Sequence, residues 1–150
     1  MTIKQVIDQD LKTAMLSGDK PLVEVLRGIK SAILNVEISG GNREQGLSDV
    51  DIIAVLQKES KKRGDAIELY EKANQKERAE AEQYERQIIE KYLPEQMSDE
   101  EVRLLIDAEI KSLNSPFTRQ QMGQVIGAIK AKTAGGVDGA TIARLVQEKL

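Results

Sequence analysis

The side chains best suited to bind a polyanion lie in the last 32 residues of the chain. They comprise four cations and four glycines: Arg119, Lys130, Lys132 and Arg144, and Gly123, Gly127, Gly135 and Gly136. Glycines leave backbone amides accessible, and the amides that begin a helix favour bound anions. Residues 119–150 carry a net charge of +3, whereas residues 1–118 carry −6. This pattern is compatible with nucleic-acid contact, although an ordinary solvated helical surface has a similar composition.

Residue types that support enzyme chemistry are sparse. The chain has no histidine and no cysteine, so it lacks a side chain that normally titrates near neutral pH, a thiol nucleophile and a thiolate metal site. Catalysis would require buried, converging carboxylates, lysines or hydroxyls with shifted pKa values. No motif indicates such a set or a phosphate-binding loop. We therefore predict no catalytic residue, no metal site and no cofactor.

Two short helices around a glycine turn are predicted for residues 122–150. The first has apolar residues at the spacing of one buried face: Met122, Val125, Ile126 and Ile129. Gly123 and Gly127 lie one turn apart in this helix, where each costs roughly 1 kcal/mol relative to alanine. We therefore expect a close approach to the backbone, either by a neighbouring helix of the same domain or by a ligand or nucleic-acid backbone. In the turn, Gly135 permits positive φ and Asp138 caps the last helix.

The rest of the chain is predicted to be helical as well. Apolar periodicity predicts helices over about residues 3–16 and 21–39, and Ser48 and Ser98 cap two further helical segments. Residues 57–92 form either a hairpin that turns near residues 73–75 or one unbroken helix. The sequence lacks long alternating β-branched runs. We predict an all-α fold, with an N-terminal helical bundle and hairpin over residues 1–94 and a C-terminal three-helix domain over residues 97–150.

Side-chain placement follows from the same periodicity. We expect Ile67 and Leu69 to face inward on the long helical region, and Val36 and Ile38 to belong to the most buried helix of the N-terminal half. The cationic cluster at residues 61–63 is interpreted as a solvated helix face rather than a phosphate site.

No apolar run approaches the roughly 20 residues that a membrane span requires, and the first residues lack the apolar region of a signal peptide. We therefore expect no membrane association and a cytoplasmic location.

Three stretches carry a resemblance to the GatB/YqeY family. They are Leu26-Arg-Gly-Ile-Lys-Ser-Ala-Ile-Leu-Asn-Val-Glu-Ile38, Ala81-Glu-Gln-Tyr-Glu-Arg-Gln-Ile-Ile-Glu-Lys-Tyr-Leu-Pro94, and the glycine helix and turn of residues 122–150. The chain resembles the stand-alone YqeY-like members over essentially its whole length. These are related to the C-terminal tail of the GatB component of the aspartyl/glutamyl-tRNA amidotransferase. Two positions depart from the pattern, since relatives usually carry Lys or Arg at Gly136 and often Lys at Ala140.

The resemblance implies an accessory protein that contacts tRNA or another structured RNA and is not catalytic by itself. Phe117 is the lone aromatic residue of residues 97–150, so recognition of RNA shape fits better than base stacking. Two alternatives remain open. One is a component of a carbon–nitrogen ligase that uses glutamine as amido donor, and the other is an adaptor that binds a protein through the helical hairpin. Arg27, Lys30 and Asn35 belong either to internal ion pairs or to a groove.

Overall fold

The computed structural model describes residues 1–41 and 44–150. These residues form seven α-helices and one short 3₁₀ helix, and they contain no strand: α1 (Ile3–Ser17), α2 (Lys20–Ser39), α3 (Asp49–Lys72), α4 (Lys76–Glu90), α5 (Asp99–Lys111), the 3₁₀ helix (Arg119–Gln121), α6 (Met122–Thr133) and α7 (Gly139–Gln147). The predicted all-α fold is confirmed. The chain divides into two compact units, Met1–Leu93 and Pro94–Leu150.

Short polar side chains begin most of these helices. The side chains that cap a helix by accepting a backbone N–H from its first turn are Thr2, Asp19, Ser48, Ser98 and Asp138. Each satisfies an amide that has no partner within its own helix. The cap at Asp138 is the shortest of these bonds, with Oδ1 2.7 Å from the amide nitrogen of Thr141.

The core of the N-terminal unit lies where α1 and α2 pack against the start of α3 and the end of α4. Its fully buried residues include Ile7, Leu26, Ile33, Ile52 and Leu56. The α3 residues of this core all precede Ser60. On α3 this apolar core therefore ends well before the tip of the hairpin, where Ala79 of α4 is buried separately.

Three apolar side chains contradict the predicted placement. Leu69 is 67% exposed, and Val36 and Ile38 are exposed on α2. Leu69 lies beyond the part of α3 that enters the core, and the C-terminal end of α2 buries Ile33 and Glu37 instead. Ile67 is half-buried. Leu69 and Ile38 also lie on the outer sides of their helices, 13 residues after Leu56 and nine after Ile29.

The region of residues 57–92 is a hairpin and not one unbroken helix. Helix α3 ends at Lys72 and α4 begins at Lys76, and Asn74 in the turn has a left-handed φ of 57°. Beyond α4, the Tyr92 hydroxyl donates a hydrogen bond to Asp10 Oδ2 at 2.6 Å. This bond ties the end of the hairpin to α1.

The C-terminal unit is a three-helix domain with its own core. Side chains from α5, α6 and α7 fill it: Val102, Ile106, Val125, Ile129, Ile142, Leu145 and Val146. The predicted buried stripe of α6 thus supplies Val125 and Ile129, while its opposite side carries Gly123 and Gly127.

Across residues 1–41 and 44–150, we find no helix with the length and apolarity needed to cross a membrane.

Candidate nucleic-acid interface

Gly123 and Gly127 lie on the exposed side of α6. A methyl group built on either glycine would meet no atom of the C-terminal unit within 4 Å, apart from the nearby backbone of α6 itself. The interpretation in which a neighbouring helix of the same domain fills this surface is therefore wrong. The backbone of α6 is open to an external partner at both positions.

Lys130 lies on the same side of the helix, three residues after Gly127. It has no carboxylate within 4.0 Å among the residues that the structure describes. Its side chain crosses the start of α7, because a methyl group built on Gly139 would lie 3.2 Å from Cε and 3.4 Å from Nζ of Lys130. The ammonium is thus close to the positive end of the α7 dipole, where an anion is favoured and a cation is not. An anion placed beside Lys130 and the first amides of α7 would be stabilised by both.

Asp138 supplies one negative charge at this end of α7. Its Oδ1 accepts the amide of Thr141, so it serves as the helix cap. No ion pair joins Asp138 to Lys130 in the described chain, since their charged atoms are more than 4.0 Å apart.

Arg119 lies in the 3₁₀ helix that leads into α6, four residues before Gly123. It is exposed and, in the part of the chain that the structure describes, has no carboxylate partner. Spacings of four, four and three residues bring Arg119, Gly123, Gly127 and Lys130 toward one side of the helix. We call these four residues the glycine face.

The other two predicted cations are engaged in ion pairs. Lys132 Nζ lies 2.8 Å from Glu109 Oε2. Arg144 lies 3.0 Å from Asp99 Oδ2 and 3.5 Å from Glu148 Oε1. Exposed ion pairs of this kind contribute only about 0–1 kcal/mol to stability, so a phosphate can replace the carboxylate as the partner of the cation. While the pairs are formed, they lower the local positive charge.

The charge of the folded unit differs from that of its last helices. Residues 94–150 contain seven Lys and Arg residues and eight Asp and Glu residues, which gives a net charge of −1. Helix α5 supplies acidic partners to α6, to α7 and to the residues after it, where Lys149 Nζ lies 2.9 Å from Asp107 Oδ1. The +3 of residues 119–150 is therefore offset within the fold, and in residues 94–150 only Lys111, Arg119 and Lys130 lack a carboxylate partner.

The glycine turn divides into an accessible and a buried part. Gly135 has a φ of 93°, as predicted, and Ala134 before it is also left-handed at 45°. Gly136 is buried, and a methyl group there would lie 3.1 Å from the carbonyl oxygen of Glu95. The Gly136 carbonyl also accepts the amide of Met97 at 2.9 Å. Gly136 therefore holds the segment before α5 against the turn, where an added side chain would press on the carbonyl oxygens of Glu95 and Thr133.

Four polar residues of α2 belong to the stretch that resembles the family, and they differ in burial and in ion pairing. Lys30 Nζ lies 2.7 Å from Asp8 Oδ1, whereas Arg27 and Asn35 are exposed. Glu37 is 2% exposed and its Oε1 lies 2.8 Å from Lys4 Nζ. Position 37 continues the buried spacing of Ile29 and Ile33, but a carboxylate there gives no apolar signal, so apolar periodicity did not place Glu37 inside.

The cationic cluster of residues 61–63 is only partly a solvated face. Lys61 and Lys62 are exposed, but Arg63 extends across the hairpin to Glu82 and to Glu85, whose Oε2 lies 2.8 Å from Arg63 Nε. Burial raises the pKa of Glu85, Arg63 opposes that shift, and the surrounding carboxylates add to it. Arg63 therefore joins α3 to α4 instead of offering a phosphate site.

No group of three or more Asp, Glu, His or Cys residues in the described chain is arranged to hold a metal ion.

Comparisons with known proteins place these features in a family. A family model described as Yqey-like protein matches residues 4–150. A Pyrenophora tritici-repentis protein named altered inheritance of mitochondria protein 41, mitochondrial, is 24% identical over 145 residues, covering 95% of this chain and 77% of that protein. The protein of the same name from Kluyveromyces lactis is 32% identical over 133 residues, 87% of this chain and 70% of its own length. An uncharacterized Schizosaccharomyces pombe protein is 32% identical over 97 residues, 65% of this chain and 76% of that protein.

Proposed function

The chain belongs to the YqeY-like family, and we propose that it is an accessory protein that binds tRNA or another structured RNA through the glycine face. The observation that carries this proposal is the open backbone at Gly123 and Gly127 between two cations, Arg119 and Lys130, that have no carboxylate partner in the described chain. A bare helix surface allows a phosphate backbone to approach closely, and the flanking cations supply the charge.

The small number of free cations determines the kind of binding. With two to four phosphate contacts, affinity should fall roughly tenfold to a hundredfold between about 50 and 200 mM salt. The net charge of −1 on the unit disfavours binding to any polyanion in general. The fit of the glycine face to a folded RNA would therefore have to supply the selectivity, as in shape recognition of structured RNA.

A filter-binding titration of tRNA at the two salt concentrations tests the proposal. We expect binding at low salt that Lys130→Glu weakens at least tenfold. Lys132→Glu should weaken it less, because Lys132 already faces Glu109. Lys20→Glu, at the exposed start of α2 in the other unit, is the control of equal charge change and should leave affinity unchanged apart from the general charge effect.

Three results would contradict the proposal. The first is no tRNA binding at low salt. The second is equal weakening by the Lys130→Glu and Lys20→Glu variants, which would indicate nonspecific electrostatics. The third is glutamine- and ATP-dependent amidation of a mischarged tRNA by the purified chain alone, which would establish the ligase alternative.

A further inference from the structure

Three glycines between α6 and α7 have different surroundings. Gly135 has a φ of 93°, which side chains rarely permit, and a methyl group on Gly136 would press on the carbonyl oxygens of Glu95 and Thr133. The conformation and packing of the backbone therefore account for both glycines. They do not account for Gly139, which is the first residue of α7 and does not have a positive φ.

Gly139 provides space for one side chain. A methyl group built on it would lie 3.2 Å from Cε and 3.4 Å from Nζ of Lys130. It would meet no other atom within 4 Å, apart from its chain neighbours and the nearby backbone of α7. Alanine is favoured over glycine in helices, so the fold itself gains nothing from glycine at this position. The side chain that gains from the space is that of Lys130.

Lys130 takes this position without an ion pair. No carboxylate lies within 4.0 Å of its ammonium in the described chain, and the nearby positive end of the α7 dipole disfavours a cation. Attraction between charges within the protein therefore does not place the ammonium there. The close contact with Gly139 instead limits where the lysine side chain can lie.

A restricted lysine has an advantage in binding. A mobile lysine loses rotamer freedom when it contacts a ligand, and this loss weakens binding by roughly twofold to tenfold for each side chain that becomes immobile. A lysine whose position is already limited loses less. It also presents its charge at one place relative to Gly127, which favours a folded RNA whose phosphates have fixed positions.

We propose that Gly139 is a positioning residue for RNA binding. Its missing side chain leaves open the space in which Lys130 crosses the start of α7, and this fixes where the ammonium meets a phosphate. This role rests on the proposed function, and Gly139 itself offers no side chain to the RNA. Because Gly139 acts through Lys130, its effect on RNA affinity should require the lysine.

The first measurement is made on the free protein. NMR of the ¹³C,¹⁵N-labelled full chain should show a nuclear Overhauser effect between the Hα protons of Gly139 and the Hε protons of Lys130, as the 3.2 Å contact implies. Gly139→Val should shift the Hε signals, because the larger side chain occupies their place. Circular dichroism checks that this variant keeps its helices. Absence of the effect in the wild type would overturn the proposed role of Gly139, whether or not RNA binds.

The second measurement is a tRNA titration at four salt concentrations. We expect Gly139→Val to weaken binding roughly twofold to tenfold and to keep the salt slope, because the lysine charge remains. Gly139→Ala should act in the same direction but less, since Lys130 can adjust by a small shift. Lys130→Met should lower the slope by about 1, and adding Gly139→Val to it should cause no further loss.

Gly28→Val is the matched control. Gly28 lies in α2, in the other unit, and a methyl group built on it meets no atom within 4 Å apart from its chain neighbours and the nearby backbone of α2. The same change of residue type at this position should leave tRNA affinity unchanged.

The possible results separate this role from the proposed function. No tRNA binding by the wild type would contradict the proposed function and the role of Gly139 with it. If the wild type binds, equal affinity of Gly139→Val and the wild type would overturn the role of Gly139 alone, as would a lowered salt slope in Gly139→Val. So would further weakening when Gly139→Val is added to Lys130→Met, because the new side chain would then obstruct the RNA directly.

Discussion

Lys132 Nζ lies 2.8 Å from Glu109 Oε2, whereas Lys130, two residues earlier on α6, has no carboxylate within 4.0 Å in the described chain. The two lysines are neighbours in sequence and carry the same charge, but only one is free to meet an anion without first leaving a partner. We therefore expect an RNA phosphate to contact Lys130 in preference to Lys132, a distinction that the charges along the sequence do not give.

The first prediction concerns these two lysines. Lys130→Met should lower the slope of log affinity against log salt by about 1, the change expected for one lost phosphate contact. Lys132→Met should change the slope by less, because an RNA phosphate has to displace Glu109 to use it. The measurement is a tRNA titration at four salt concentrations for each variant. Equal slopes for the two variants would show that the ion pair has no influence on binding.

The second prediction concerns the glycines. Gly127→Ala should stabilise the protein by about 0.5–1 kcal/mol, because the added methyl group meets open space and alanine favours helix. Gly136→Ala should destabilise it, since the methyl group would lie 3.1 Å from a backbone oxygen of Glu95. Urea denaturation of both variants gives the comparison. Destabilisation by Gly127→Ala would indicate that this surface is covered in solution.

A bulkier change at the same position separates stability from binding. Gly127→Leu should keep the helix, since the space is open, but should weaken tRNA binding by blocking approach to the backbone. Gln124→Leu, at an exposed neighbouring position of α6, serves as the matched control. If the two leucine variants bound tRNA equally well, close approach at Gly127 would not be needed.

The third prediction concerns Arg63, which contacts Glu59, Glu82 and Glu85 at 3.6, 3.5 and 2.8 Å. These contacts are between charges rather than well-aligned hydrogen bonds, because Arg63 Nε and Glu82 Oε2 have no hydrogen-bond partner in the described chain. Arg63→Met should destabilise the protein by about 1–2 kcal/mol at pH 7, since three partly buried carboxylates then lack their shared cation.

The pH dependence of that loss has a definite sign. The pKa of Glu85 is already raised by burial, and removing Arg63 takes away the charge that opposes the rise. A carboxyl group with a raised folded-state pKa stabilises the fold most at low pH, and this contribution is lost as pH rises through the folded pKa. The deficit of Arg63→Met should therefore shrink near pH 4.5 relative to pH 7. Lys62→Met, on the same helix but more exposed, is the control and should show a small deficit at both pH values.

The fourth prediction concerns Tyr92. Burial raises the pKa of its hydroxyl, and the hydrogen bond to Asp10 and the charge of Asp10 raise it further. Because the folded pKa lies above the unfolded value of about 10.0, this contribution is complete below pH 10 and is lost as pH rises through the folded pKa. Tyr92→Phe should lower the free energy of unfolding by about 1 kcal/mol at pH 7. Above pH 10, the stability of this variant should decline less steeply than that of the wild type.

Thermal denaturation of wild type and Tyr92→Phe at pH 8 and pH 10.5 checks this expectation. Tyr70→Phe is the matched control, since the Tyr70 hydroxyl makes no hydrogen bond in the described chain. Parallel curves for wild type and Tyr92→Phe would mean that the contact with Asp10 does not form in solution.

Features set by neighbouring residues were predictable from the sequence. The caps at Ser48, Ser98 and Asp138 bond to amides three residues ahead, so the local pattern contains both partners. The turn near Asn74 was predicted in the same way, as one of two alternatives. The stripe of α6 that includes Val125 and Ile129 followed from the spacing of its apolar residues.

Features set by distant residues were not predictable. The partner of Lys132 is Glu109, 23 residues earlier, and only the packing of α5 on α6 brings them together. Gly136 is buried by the backbone of Glu95, from a segment 41 residues away. Leu69 was wrongly expected to face inward: it follows Leu56 by 13 residues, which places it on the other side of α3, and the partly buried side at this end of the helix carries Ile67 and Tyr70 instead.

The most direct test of the glycine face is to map tRNA contacts by NMR on the ¹⁵N-labelled full chain at low salt. We expect the amide signals of Gly123, Gly127 and Lys130 to shift or broaden first, together with the first amides of α7. Signals from the ion-paired side of α5, such as Asp107, should stay in place. Shifts confined to residues 1–93, or none at all on α6, would contradict RNA binding through the glycine face.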